Sequence, residues 1–162
     1  DFLRKYVPGY EHCTIKTGAS TLGIRESRRF SGKYVMNISD LREARRFPDV
    51  VVHKAQFVVD IHNPVGGGQA NGIAEYVDAY DIPWRSLVPQ KMENLILAGR
   101  CISGTHEAMA SYRVMAIAMA IGEAAGIGAA LAIDHDVTPE NLDVKYIQKA
   151  LMDKGAVLFD EK

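Results

Sequence analysis

The feature that most limits what this chain can become is a short apolar run, Leu95-Ile96-Leu97-Ala98, that stops at Gly99 and leads through a loop into a long stretch of small and apolar residues. A wholly apolar run of that length has the pattern of a strand buried on both faces of a parallel sheet. At Gly99 the missing side chain lets a ligand approach the backbone, and ligands of open α/β sheets sit beyond the carboxyl ends of strands. The pattern predicts a helix from about Ser111 to Ala132, with Ser111 as its N-cap. Its first unpaired N–H groups and the positive end of its dipole suit an electron-rich oxygen or a phosphate. That helix is dense in small residues, among them Ala118, Ala120, Gly122, Ala124, Gly126 and Gly128. Each interior glycine costs about 1 kcal/mol relative to alanine, which makes sense where a helix lies close against a sheet or another backbone. Tight core packing with no ligand is the competing reading.

The totals exclude several classes. With 162 residues, 48% hydrophobic and 24% charged, the chain suits one soluble, ordered domain rather than a disordered segment. A net charge of -1 gives no reason to expect nucleic acid or an anionic membrane as partner. Two distant cysteines, Cys13 and Cys101, do not form a disulfide framework and fit a reducing compartment, which favours the cytoplasm. The start, Asp1-Phe2-Leu3-Arg4, resembles neither an initiator methionine nor a secretion signal, so a processed chain or a piece of a larger protein is expected. Val114 to Ile133 is apolar but carries Glu123 and follows Arg113. Its uncharged pieces are about half of the roughly 20 residues a bilayer span needs, so no membrane segment is expected.

Along the chain, Tyr6 to Tyr10 reads as a turn and Leu22 to Arg29 as an alternating strand. Ser39 to Ala44 reads as one or two helical turns, Ala55 to Ile61 as a strand, and Asn63 to Gly72 as a loop or hairpin tip. A second strand is expected from Glu75 to Asp81, ended by Pro83, and Trp84 to Pro89 as an extended crossing segment. A last helix near Asp143 to Asp153 places Val144, Ile147, Ala150 and Leu151 on one face, and Gly155 stops it.

Five motifs in order carry a resemblance: Gly23 to Arg29, Val59 to His62, Ile82 to Pro89, Asn94 to Ser103, and Arg113-Val114-Met115, followed by Ile147 to Leu151 with Gly155-Ala156. They resemble the C-terminal half of a bacterial family of FAD-dependent oxidoreductases with the glutathione-reductase-like fold. The resemblance implies an α/β C-terminal fragment of an FAD/NAD(P)-binding, Rossmann-type flavoprotein. Residues 1–90 would be a segment of the substrate-domain sheet. Residues 91–162 would be the C-terminal part of the FAD-binding domain, with its last strand and two helices. It further implies that Gly99 and Arg100 pass near the ribityl-pyrophosphate region of FAD, and that Arg113, Val114 and Met115, after Ser111, face the flavin. One departure stands out. The G-x-G-x-x-G turn that holds a dinucleotide's pyrophosphate is absent: Gly66-Gly67-Gly68 has Asn71 at the last position, and Gly126-x-Gly128 has Leu131 there. The expected parent activity is hydride or electron transfer between FAD and a small organic substrate, with the chain alone inactive and retaining FAD weakly or not at all.

On the substrate side the candidates are His62, His106 and Arg85: a histidine to move the proton that accompanies a hydride, an arginine to hold a carboxylate. Each could equally satisfy a local hydrogen bond. Arg25, Glu26, Arg28 and Arg29 read as an ion-pair lattice before a substrate cradle. Asp60 could orient His62 or close a strand edge. Cys101 reads as an inert thiol, and His12, Cys13 and His53 lack the spacing of a metal site. The expected partners are the small substrate and the missing N-terminal half. A different class of function remains open, a non-catalytic module that associates with itself or another subunit through surface the missing half would cover.

Overall fold

A computed structural model describes residues 1–26, 28–62 and 74–160. Its centre is built where Pro48-Asp49 turns into three valines. β-Branched side chains fit a pleated surface, and Val50–Ala55 forms β1, paired antiparallel with β2, Tyr80–Pro83. Val50 faces Pro83, Val52 faces Ile82 and Ala55 faces Tyr80, with irregularities between these pairs. Lys54 has a φ of 52°, a conformation that fits a bulged strand. All four residues of β2 are buried.

Two helices cover this ribbon. In α5, Val144–Asp153, the Asp143 carboxylate accepts from the Lys145 N–H at the start, and Gly155 follows at a φ of 94°. Ile147 and Leu151 are buried and Val144 and Ala150 half-buried, as the periodicity predicts. Gln148 donates to the carbonyls of Pro48 and Val50 at 2.9 and 3.1 Å, which ties α5 to the start of β1. The second covering helix, α4, spans Met115–Asp134 and packs on both β1 and α5. One hydrophobic cluster runs from Met36 through Ile82, Trp84, Ile121 and Ile147 to Leu158.

The small-residue stretch is two helices rather than one. α3 is His106–Tyr112, capped by Thr105, and the chain breaks at Arg113-Val114 before α4. α4 is apolar on all sides, a composition that normally means burial all round. Here only one face is buried, by Ile117, Ile121, Ala124, Gly128 and Ala132, while Met115, Met119, Gly122, Gly126 and Ile133 lie open. By length and composition alone α4 could cross a membrane, and 33% of its most apolar 18-residue stretch is buried. The single Glu123 does not shorten it as the uncharged pieces suggest.

Other expectations shift. Residues 22–26 and 28–29 form no strand, with Leu22 and Ile24 open to solvent and Glu26 and Arg29 half-buried, because no neighbouring strand pairs with them among the described residues. The strand expected over Ala55 to Ile61 ends where it was to begin, and beyond it Val59 meets Glu75 in one isolated bridge. Its partner starts at Tyr80 rather than Glu75. Trp84–Ser86 is a 3₁₀ turn rather than an extended crossing. Leu95 to Ala98 has no regular secondary structure, Leu97 alone is fully buried, and the run's one backbone–backbone bond among described residues is from the Leu97 N–H to the Leu87 carbonyl. The helical turns near Ser39 are α2, Ile38–Arg42, closed by a capping box between Asn37 and Asp40. Before the turn at Gly9 lies a short exposed helix, α1, Phe2–Tyr6, that the pattern did not suggest. Asn63 to Gly72 lies outside the described residues.

Candidate functional site

The break between α3 and α4 positions the polar groups of interest. Thr105 accepts from the Ala108 N–H, so α3 begins at His106, which is its first residue and not part of a preceding loop. Ser111 is wholly buried in the last turn of α3 and is not an N-cap. Its Oγ donates to the Phe57 carbonyl at 2.6 Å and lies 2.8 Å from the Tyr80 hydroxyl, which then donates to it. Burial pushes the Tyr80 phenol up to about 12, against the lowering effect of that hydrogen bond. Ser111 is thereby committed to holding Tyr80 and the 57 segment together, and the open helix start is elsewhere.

That start is Val114, which has extended backbone angles (φ -70°, ψ 155°) and no side-chain cap. The first bond inside α4 runs from the Ala118 N–H to the Val114 carbonyl, so the N–H groups of Met115, Ala116 and Ile117 have no partner within the helix. Met115 is 82% exposed, so this turn faces open space. The positive end of a 20-residue helix therefore lies at the surface.

Beside it lies a chain of polar contacts. The Arg113 Nη2 donates to the Asp60 carbonyl at 2.8 Å and to the Asp60 Oδ2 at 2.9 Å. The buried Arg113 Nε has no hydrogen-bond partner among the described residues. His62 places its Nε2 2.9 Å from that same Asp60 oxygen and 2.9 Å from the Arg25 Nη1. One ring nitrogen cannot serve both neighbours in one state. Carrying a proton it donates to Asp60; bare, it accepts from Arg25. The geometry thus gives the His62 Nε2 a partner whether or not it carries a hydrogen.

A second set adjoins the first through Glu26. Its Oε1 accepts from the Arg29 Nη1 at 2.7 Å and meets the His106 Nδ1. Arg29 also points at the Met109 sulfur in α3, at 3.6 Å. His62 and His106 are therefore both reached from adjacent residues, Arg25 and Glu26 respectively. Arg85 is not with them. It makes a two-pronged ion pair with Asp49, at 2.8 and 3.0 Å, and its guanidinium lies over the Tyr34 ring. Gly99 adopts a φ of 68°, a conformation that favours glycine, and open space lies where its side chain would be. Arg100 donates to the Ile24 carbonyl at 2.7 Å, and the Cys101 thiol donates to the Ala98 carbonyl.

Two cavities bear on where a ligand could sit. The larger, of 690 Å³, is lined by Ile96, Ala125, Ala129, Ala132, Ile133 and Asp136 among others. It lies about 15 Å or more along α4 from the open first turn, and its polar lining consists of Asn94, Asp136 and Thr138. A smaller one of 270 Å³ is lined by Ile24, Arg25, Glu26, Arg28, Arg100 and Cys101. No cluster of three metal-ligating side chains occurs among the described residues.

Sequence reasoning missed the roles of Asp60 and Arg113 as one unit and the break at 113–114. Neither glycine nor proline marks that break. A family model described as FAD dependent oxidoreductase matches residues 1–151. No curated protein and no solved structure matches the chain.

Proposed function

The chain belongs to the FAD dependent oxidoreductase family, and from that premise we propose that it forms one wall of a flavin site in an oxidoreductase of the glutathione-reductase-like fold. The observation that carries this reading is the open first turn of α4, with three N–H groups that have no partner among the described residues, next to the Arg113–Asp60–His62–Arg25 chain. The residues present suit such a wall. The turn is open, Gly99 leaves free space where a side chain would stand, and the Arg113 Nε, without a partner among the described residues, is a donor still to be used. A wall is not a whole site, since the glycine turn that cradles pyrophosphate is not in this sequence.

When bound, FAD supplies the redox step, accepting or giving a hydride or electrons. The chain's own residues do the rest. The first turn of α4 stabilises negative charge that develops at its open end, by its dipole and its free donors. His62 takes or gives a proton at Nε2, with Asp60 and Arg25 as its alternate partners, and Arg113 holds Asp60 in place. Arg85 works at a distance from this centre, by pairing with Asp49. His106 acts through Glu26 on the same segment that presents Arg25.

Under this reading most of the contact area with FAD comes from the partner half, which covers the open face of α4. The self-association alternative draws on the same observation, since Met115, Met119 and Ile133 form an apolar stripe that water disfavours. Titrating FAD into the chain while following flavin fluorescence tests the proposal. No saturable quenching is expected below about micromolar protein, because pyrophosphate contacts dominate dinucleotide affinity. Stoichiometric, sub-micromolar binding would overturn the one-wall reading.

A further inference from the structure

The chain has ten arginines. Six hold a carboxylate: Arg29, Arg42, Arg45, Arg46, Arg85 and Arg113. Of the four that pair with no acid among the described residues, Arg4 lies at the N-terminal end, and the other three, Arg25, Arg28 and Arg100, line the same 270 Å³ cavity. Guanidinium groups carry their charge at any ordinary pH and repel one another when gathered without counter-charge. Three unpaired ones around one cavity therefore leave an unmet demand for an anion. The single acid in the lining does not meet it, because Glu26 already faces the Arg29 guanidinium and the His106 ring through its Oε1, and its one charge does not offset three more.

We infer that this cavity is a binding site for a small oxyanion, a carboxylate or phosphate group carried by a small molecule. Its parts are fixed from two directions. Arg100 is anchored to the Ile24 carbonyl, which holds the 99–101 turn against Ile24, and Arg25 is anchored to His62. Arg28 is exposed, with no hydrogen bond to another described residue, and provides a planar fork that matches a carboxylate or phosphate in two-pronged geometry. The remaining neighbours are Ile24, which contributes apolar wall, and the Cys101 thiol, whose hydrogen is on Ala98. An anion held here sits one side chain away from His62, through Arg25, and from His106, through Glu26. That the molecule bearing it is the redox substrate rests on the flavin reading above; the anion site itself does not.

Calorimetric titration of the full chain at low ionic strength, with succinate in one arm and inorganic phosphate in the other, tests the inference. At least one probe should bind saturably in the millimolar range or tighter. Tighter succinate binding identifies a carboxylate ligand, and tighter phosphate binding a phosphate-bearing one. Arg28→Gln and Arg100→Gln should each weaken that binding by about tenfold, Arg28→Lys by less, and Arg4→Gln not at all. The substituted Arg28 side chain is exposed, so its thermal midpoint serves as the check on folding. Failure of both probes to saturate, or equal weakening by Arg4→Gln, overturns the site. Because no flavin is needed, a negative result here leaves the flavin reading standing, and failure of the flavin reading leaves this site standing.

Discussion

Replacing His62 by glutamine is expected to slow reduction of the bound flavin by substrate at least about a hundredfold in the flavin-loaded protein, roughly 3 kcal/mol of barrier. The expectation comes from the double contact of its Nε2, 2.9 Å from Asp60 on one side and 2.9 Å from Arg25 on the other. Glutamine can keep a hydrogen bond to either neighbour, but it cannot carry a proton between states. Bound FAD should be retained, because His62 lies on the substrate side of the proposed wall. Asp60→Asn should fall in the same direction, since it leaves Arg113 without its carboxylate as well as removing one partner of His62. Arg85→Gln makes the contrast: it breaks the pair with Asp49 and should lower stability by about 1 kcal/mol or less, with the reduction rate preserved. Anaerobic mixing with substrate while following flavin absorbance reads all three. A His62→Gln protein that reduces its flavin within threefold of the unsubstituted rate removes the proton role from this residue.

The second large effect is at Gly128, where α4 passes over the ring of Trp84. A Cβ at Gly128 would come within 2.3 Å of the Trp84 Cη2 and 2.9 Å of Cζ3. The ring cannot easily retreat: Trp84 is 4% exposed and its Nε1 donates to the Pro139 carbonyl at 3.1 Å. Gly128→Ala gains about 1 kcal/mol of helix propensity, but overpacking a filled core costs about 1–3 kcal/mol or more. At so short a distance the clash wins, and a net loss of about 2 kcal/mol should lower the thermal midpoint by roughly 4–8 °C. Gly122 and Gly126 behave oppositely, because nothing lies within 4 Å of a Cβ at either. Alanine there should raise the stability of the isolated chain by about 0.5–1 kcal/mol each. In an assembly that covers this face, the same two substitutions should weaken association. Three glycines with one common response would mean that the two faces of α4 are not as described.

Much of this was legible from residues alone, and the reason differs by element. The Asp143 cap, the 144/147/150/151 stripe and Gly155 all specify one helix, so α5 stands where its pattern predicts. The apolar, small-residue content of α4 was equally plain, yet its start was not. Ser111 has the chemistry of an N-cap, and only the tertiary contacts with Phe57 and Tyr80 draw it into the end of α3. The resemblance at Arg113-Val114-Met115 points to the residues where α4 begins, although capping chemistry does not. Val50-Val51-Val52 was a usable strand signal that the Phe57–Ile61 run overshadowed. Strand reading failed at Leu22 to Arg29 and at Leu95 to Ala98 for one physical reason. Alternation and hydrophobicity describe a surface suited to a sheet, but a ladder also needs a neighbour, and none of the described residues provides one. At the candidate site, the histidines could be named from sequence, whereas the sharing of Asp60 between His62 and Arg113 depends on contacts 2 and 53 residues apart.

The central claim is that the first turn of α4 faces the flavin, and amide hydrogen exchange tests it at the atoms concerned. In the flavoprotein without FAD, the N–H groups of Met115, Ala116 and Ile117 lack helical partners and should exchange quickly. Loading FAD should slow exchange in the 113–118 segment by at least about tenfold. Unchanged exchange there, with protection gained elsewhere in the chain, would contradict the account.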